Sequence, residues 1–255
     1  MSRRLRLCIP ILVLMLAAGA APPAAAQEDP PAQLFVEGLN AYKADDYPAA
    51  VERFESLVTG GLATGKLYYN LGNAYLKAGR LGHAVWGYEK ALRLIPGDPD
   101  LRFNLAHARG LVQDQPEGET QPLARVLFFW RYQLRDDQLQ WLALGFNLAL
   151  WGALIVRRLA GRRPFRSWLL LLALPALLFA ATAGYNRFED RYRRQAIVLP
   201  DQLSVRAGRT PGATELFVLH AGTRVRIQAG QEGHLRIAFG RDKIGWVPAG
   251  DLGLL

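Results

Sequence analysis

The 255-residue chain carries 31 basic and 22 acidic residues, a formal charge of +9, and a single cysteine. One cysteine cannot close an internal disulfide or build a thiolate metal site. The apolar residues fall into three blocks, the pattern of a membrane protein with soluble appendages and not of one globular core.

The first block predicts an export signal over residues 1–26. Arg3, Arg4 and Arg6 precede an apolar stretch at 7–21, and Ala24, Ala25 and Ala26 offer small residues for cleavage before the polar Gln27, Glu28 and Asp29. An uncleaved anchor helix is the alternative. Cleavage would remove three arginines and the only thiol, leaving 28 basic against 22 acidic residues. Residues 27–120 then hold 9 basic and 13 acidic residues, whereas 121–194 hold 12 and 4. The positive excess thus sits around the apolar segments, where arginine orients helices and meets anionic lipid. Neither soluble part has a basic stripe interleaved with aromatic residues, so the sequence gives no support for nucleic-acid binding.

Residues 27–112 predict an all-α module. Gly72, Asn73, Ala74, Tyr75, Gly79, Ala84, Tyr88, Ala91 and Pro96 fall at the spacing of a 34-residue helix–turn–helix repeat. The same shift places Gly38, Ala41, Ala50, Phe54 and Leu57 before them and Asn104, Leu105 and Ala106 after them. Residues 31–64 and 65–98 are two repeats, and 99–112 is a lone third first-helix that serves as a lid. Small residues let paired helices approach, and aromatic residues fill the space between pairs. This looks like the tetratricopeptide repeat family, most specifically over 65–98; the first repeat has Leu62 where the terminal proline would stand. The resemblance implies a concave groove that binds a peptide or partner helix, lined here by Tyr42, Lys43, Tyr69, Asn73, Lys77 and Asn104. Asn73 and Asn104 resemble part of the carboxylate clamp of some members, although Tyr69 stands where a clamp lysine is expected. The alternative is that these side chains only support packing and solubility.

Residues 113–122 are polar, acidic and proline-bearing, a flexible linker. Residues 123–135 are too short to span a bilayer. Their arginines among aromatic residues predict a helix lying along the membrane surface or, alternatively, one capping the helical module. Residues 138–156 and 167–186 are uncharged stretches of 19 and 20 residues, each just long enough as a helix for a ~30 Å hydrocarbon core. Trp141, Trp151, Trp168 and Tyr185 lie near their ends, and Pro175 is tolerable in such a helix. A buried hairpin of a soluble domain is the alternative. The connector 157–166 carries Arg157, Arg158, Arg162, Arg163 and Arg166 without an acid, which predicts a cytoplasmic loop. Both soluble modules would then face the periplasm from a bacterial inner membrane.

Residues 197–255 predict an all-β module, a small barrel of short strands at 203–205, 216–219, 223–227, 234–239 and 244–247 separated by glycine turns. Alternation at 223–227 gives one charged and one apolar face. The runs 203–206 (LSVR), 221–225 (AGTRV), 234–237 (HLRI) and 245–248 (GWVP) resemble a bacterial SH3-like domain, with His234 where that family often has tryptophan. The resemblance implies binding of cell-wall peptides or of protein partners; a barrel with only a structural role is the alternative.

Nothing in the sequence predicts catalysis, a metal or a cofactor. His83, His107, His220 and His234 form no i,i+4 pair, and surface placement accounts for His83 and His107. The adjacent pairs Asp45–Asp46 and Glu189–Asp190 do not share a helix face. The expected fold class is therefore multidomain: a tetratricopeptide module, a two-helix transmembrane hairpin and a C-terminal SH3-like barrel.

That order of parts resembles the BatE-type proteins of the Bat aerotolerance operons. The resemblance implies a non-enzymatic inner-membrane adaptor working with von Willebrand A-domain membrane proteins, a BatD-like protein and, indirectly, a MoxR-type ATPase. The alternative function is tethering to peptidoglycan through the SH3-like domain.

Overall fold

The computed structural model describes residues 30–114, 128–160, 166–192, 194–210, 212–240 and 242–255. The expected export signal, the linker beyond Asp114, residues 123–127 and the connector residues 161–165 lie outside them.

Five helices form the first part: α1 (Pro30–Lys43), α2 (Tyr47–Thr59), α3 (Gly65–Lys77), α4 (Leu81–Leu94) and α5 (Pro99–Gly110). Their starts are written locally. The Asp46 carboxylate accepts from the Ala49 N–H, the Thr64 hydroxyl from Leu67 and the Asp98 carboxylate from Asp100 and Leu101, each satisfying backbone donors that a helix start leaves open. α2 and α4 begin 34 residues apart. Within each hairpin the same device recurs one period later: Phe54 of α2 lies on Gly38, and Tyr88 of α4 lies on Gly72. A Cβ at Gly72 would stand 2.6 Å from the Tyr88 ring, so only glycine admits the aromatic there. Phe54, Leu67, Leu71, Tyr88 and Leu101 are fully buried at the centre of this part.

Two long helices follow, α7 (Asp136–Ala160) and α8 (Arg166–Tyr192), preceded by the five-residue α6 (Phe129–Gln133). α7 and α8 are antiparallel neighbours, with Phe146 stacked on Phe179 at 5.9 Å. Both are long and apolar enough to cross a membrane, and their most apolar windows are only 6% and 11% buried. Trp141, Leu148, Trp151 and Leu177 stay exposed, so nothing among the described residues covers this surface as a soluble core would. α6 is tied to the end of α8: Trp130 Nε1 donates to Thr182 Oγ1 at 3.3 Å and Arg131 Nε to Asn186 Oδ1 at 2.8 Å. Asn186 Nδ2 in turn donates to Asp136 Oδ1 at 2.7 Å, at the first residue of α7.

The C-terminal part is one antiparallel sheet of seven strands in the order β3-β2-β6-β5-β4-β1-β7. The five expected strands are present as β2 (Gln202–Arg206), β3 (Glu215–His220), β4 (Arg224–Gln231), β5 (His234–Phe239) and β6 (Lys243–Pro248). Two more were not expected, β1 (Gln195–Val198) and β7 (Leu252–Leu254). Both are too short to show alternation, and Gly253 halves the side-chain signal of β7. Their pairing with each other and of β1 with β4 is a long-range choice. All seven strands contribute to one core that includes Val198, Val205, Leu219, Val225, Ile237, Val247 and Leu252. Of the strands, β1 and β7 pack most closely on α4, and Arg224 of β4 reaches the same helix.

Candidate functional site

α3, α4 and α5 bring three of the six groove residues together. Asn104 Nδ2 donates to Tyr69 Oη at 3.1 Å and to Asn73 Oδ1 at 2.9 Å, and Tyr88 Oη donates to the same Asn73 oxygen at 2.7 Å. Turning both amides over would keep the same contacts, and in either orientation one amide nitrogen and one amide oxygen are left over; as drawn, the shared atom is the oxygen of Asn73. Asn73 Nδ2 and Asn104 Oδ1 then have no hydrogen-bond partner among the described residues. Neither is sealed in, because no buried side-chain nitrogen or oxygen among those residues lacks a partner. The cluster therefore offers solvent one amide donor and one amide acceptor, the complement of a peptide unit. Burial pushes the Tyr88 phenol above its ordinary value, with Tyr69 and Tyr42 adding to the effect, so it stays a neutral donor. Tyr42 is half-buried on α1 with its ring edge-on to Tyr47 at 5.5 Å, and burial, then Tyr69, raise its phenol too. Lys43 and Lys77 are exposed at the last turns of α1 and α3. Lys77 stands one turn beyond Asn73 on the same helix, and neither lysine takes part in the hydrogen bonds of the cluster.

Sequence reasoning treated the helical part and the sheet as separate modules; the structure docks them. β1 is buried on both faces. Ala196 and Val198 enter the sheet core, while Ile197, pointing the other way as strand geometry requires, joins the core of the helices. α4 supplies the opposing face. At Gly82 a Cβ would collide with the carbonyl oxygens of Val198 and Leu199, so glycine lets the helix touch the strand backbone. Trp86 Nε1 donates to Leu254 O at 3.1 Å.

Two polar clasps close the edges. The Glu89 carboxylate on α4, 8% exposed, accepts from Arg109 Nε at 3.2 Å and from the Arg224 guanidinium on β4. Burial alone would raise its pKa. Arg224 and Arg109 outweigh that and hold it below the usual range. Asp114, just after α5, accepts from the His220 backbone N–H at 2.6 Å and from Thr223 Oγ1 at 3.0 Å, with His220 Nδ1 at 3.2 Å. Burial opposes ionisation here as well, but the His220 and Thr223 hydrogen bonds leave the carboxyl below its ordinary value.

Of the four histidines, His107 is exposed as expected. His83 is half-buried against the Tyr75 ring at 5.0 Å, and burial, with Arg80, lowers its pKa. Among the described residues no group of three or more His, Cys, Asp or Glu could hold a metal ion.

No protein-family model matches this chain, and no curated protein matches it.

Proposed function

We propose that this protein is a membrane-anchored, non-enzymatic envelope adaptor whose tetratricopeptide-type groove binds an extended peptide segment of a partner. The observation that carries the reading is the Tyr69–Asn73–Asn104 cluster, which leaves an amide donor and an amide acceptor open on α3 and α5, whose starts at Gly65 and Pro99 lie one 34-residue period apart. The repeat spacing supports a tetratricopeptide module, and the antiparallel sheet of short strands around one core supports an SH3-like domain. α7 and α8 act as spans, with the helical part and the sheet together on the periplasmic side of a bacterial inner membrane. Their mutual docking supports a common side, since Glu89 and Arg224 meet directly. In the setting that the BatE-type resemblance implies, the partners are von Willebrand A-domain membrane proteins and a BatD-like protein, with a MoxR-type ATPase reached only through them.

The test is site-specific photocrosslinking in cells, with the crosslinker at Lys77 beside the cluster and, separately, at exposed Gln231 on the sheet. A discrete adduct from position 77 that disappears in Asn73→Ala/Asn104→Ala supports the groove. Adducts unaffected by that double substitution would remove it. A reporter fused after Leu255 should behave as periplasmic; a cytoplasmic signal reverses the orientation.

A second reading, tethering to peptidoglycan, draws on the ring and cation pairs of the sheet, Arg209 over Trp246 at 5.5 Å and Lys243 over Phe217 at 5.8 Å. Retention of the purified chain on cell-wall sacculi, lost in Trp246→Ala, would favour it over the groove.

A further inference from the structure

One amide interrupts the apolar run of α7. Asn147 lies midway between Asp136 and Leu159, the ends of the candidate span. At 1.5 Å per residue that is about 17 Å from either end, the centre of a ~30 Å hydrocarbon core. Its side chain is exposed and makes no hydrogen bond among the described residues. α8 offers it nothing, since from Leu169 to Ala181 that helix carries no polar side chain. Nor does the amide turn back on its own helix, as Asn70 Nδ2 does in reaching Lys66 O at 2.9 Å and Thr182 Oγ1 in reaching Leu178 O at 2.8 Å. Even such a bond would leave the side-chain oxygen of Asn147 bare. In water this is an ordinary surface residue. In hydrocarbon an unpaired amide is costly, and polar side chains there find partners across helices.

Asn147 belongs to a patterned face. Gln140, Leu144, Asn147, Trp151 and Leu154 recur at alternating spacings of four and three, the seam of a left-handed helix pair. The first four are exposed and Leu154 is half-buried. This seam is separate from the surface used inside the hairpin: Phe146, which stacks on Phe179, points about 100° away from Asn147 around the helix. Gln140 and Asn147 stand one heptad apart, so a second amide occupies the same seam position nearer the start of α7. A single amide in such a seam fixes the register of the pair.

Depth and chemistry together choose the occupant. A primary amide is its own complement, since it carries both a donor and an acceptor. Two copies of one chain enter the membrane in the same orientation, so their α7 helices lie parallel. A two-fold axis along the membrane normal then sets position 147 against position 147 at equal depth. A span from another protein meets that requirement only if it too has a polar side chain at mid-depth. We infer that α7 is a homodimerisation helix: two copies of this chain pair along the seam from Gln140 to Leu154, and their Asn147 amides exchange reciprocal hydrogen bonds at the centre of the bilayer. The inference rests on the reading of α7 as a span. Pairing would set two peptide grooves side by side, which raises the avidity for any partner that is itself paired.

The experiment is cysteine crosslinking of the full chain in cell membranes with a membrane-permeant oxidant. Leu144→Cys on the seam is compared with Ala149→Cys on the opposite flank of α7, each combined with Cys8→Ser so that no other thiol is present. A product of twice the chain mass is expected from position 144 and none from position 149. Adding Asn147→Leu to Leu144→Cys should cut its yield roughly tenfold or more, whereas Asn147→Gln, which keeps the amide, should retain most of it. Ala149→Leu should leave the yield unchanged. Equal crosslinking at both positions, none at either, or a yield indifferent to Asn147→Leu overturns the inference. So does an adduct of any other mass from position 144, which would put a different protein's span on the seam. Leu144→Cys alone leaves Asn147 in place, so the comparison of the two positions decides even where Asn147→Leu fails to fold. Carbonate extraction separates the two readings: a chain that washes off defeats the spans themselves, whereas a chain that stays but does not crosslink at position 144 defeats only the seam.

Discussion

Arg224 on β4 donates to Glu89 on α4, 135 positions earlier, and so joins the helical part of the chain to the sheet across the intervening hairpin. Glu89 also holds Arg109 of its own helical part, so one carboxylate is shared between two cations from the two bodies. A buried acid with two partners has a strong preference for the arrangement that supplies both.

Glu89→Gln should therefore loosen the docking without unfolding either body. The neutral amide cannot satisfy two guanidiniums, but Arg109 and Arg224 are 43% and 30% exposed, so water compensates in part. The expected cost is about 2 kcal/mol, roughly thirtyfold in the opening equilibrium. Hydrogen exchange checks it: amides of β1 and β7 should exchange faster while those of β5 and β6 do not. Uniform acceleration across the sheet would mean that Glu89 stabilises the fold and not the interface.

Docking should also weaken in acid. Glu89 and Asp114 are both held below their ordinary values of 4.5 and 3.8. A depressed carboxyl contributes its full stabilisation above its unfolded value and loses it as pH falls through the lower, folded value. The interface is thus intact at neutral pH, begins to weaken below about 4.5, and loses both contributions only below the depressed values. Unfolding midpoints of the detergent-solubilised chain followed from neutral pH downward should show this loss. In Asp114→Asn the midpoint should be lower at neutral pH and depend less on acid. An interface that strengthens toward low pH would contradict the assignment of both clasps.

How much of this was legible in the sequence follows from the range of each interaction. The Gly72–Tyr88 contact lies within one repeat and announces itself by recurring at Gly38–Phe54. The long helices were legible because an uncharged run between charged residues needs no tertiary information. The strands β2 to β6 were legible from alternation and glycine turns. The clasp was not, because each of its residues looks ordinary in place. Glu89 is an unremarked acid in a helix, and Arg224 and Arg226 alternate with Val225 as on any solvated strand face. Only the fold shows that Arg224 faces α4. β1 was missed for the same reason: its burial on both faces comes from a helix more than a hundred residues upstream. In the groove, Tyr69, Asn73 and Asn104 follow from the resemblance to tetratricopeptide repeats, whereas Tyr88, which reads as packing between helix pairs, also donates to Asn73.

Gly82→Val should separate the two bodies more cleanly than any charge substitution. The added carbons meet the backbone carbonyls of Val198 and Leu199, which cannot rotate away, so α4 and β1 must part. Gly110→Ala is the matched control, since nothing lies within contact of a Cβ there. It should be neutral or stabilise by up to about 1 kcal/mol through helix propensity. Limited proteolysis is the measurement, with new cleavage between the hairpin and β2 expected in Gly82→Val alone. Protection equal to the unsubstituted chain would show that the interface yields to the extra volume.

Asn104→Ala should cost little stability and much recognition. Its side chain is half-buried and donates to Tyr69 and Asn73, both themselves only half-buried, and Asn73 keeps the Tyr88 donor, so the expected loss is about 1 kcal/mol in unfolding free energy. The same substitution removes the open acceptor and frees Asn73 to turn its amide, which destroys the donor–acceptor pair offered to a peptide unit. Tyr88→Phe probes the other end of the network. It removes the hydroxyl that donates to Asn73 at 2.7 Å while keeping the ring over Gly72, and should weaken binding less than Asn104→Ala does. Crosslink yield from position 77, set beside the unfolding midpoint of each variant, measures both. If yield tracks stability across the two variants, the cluster is a packing network and the groove binds elsewhere; if Asn104→Ala loses the adduct at near-normal stability, the open amide groups are what the partner contacts.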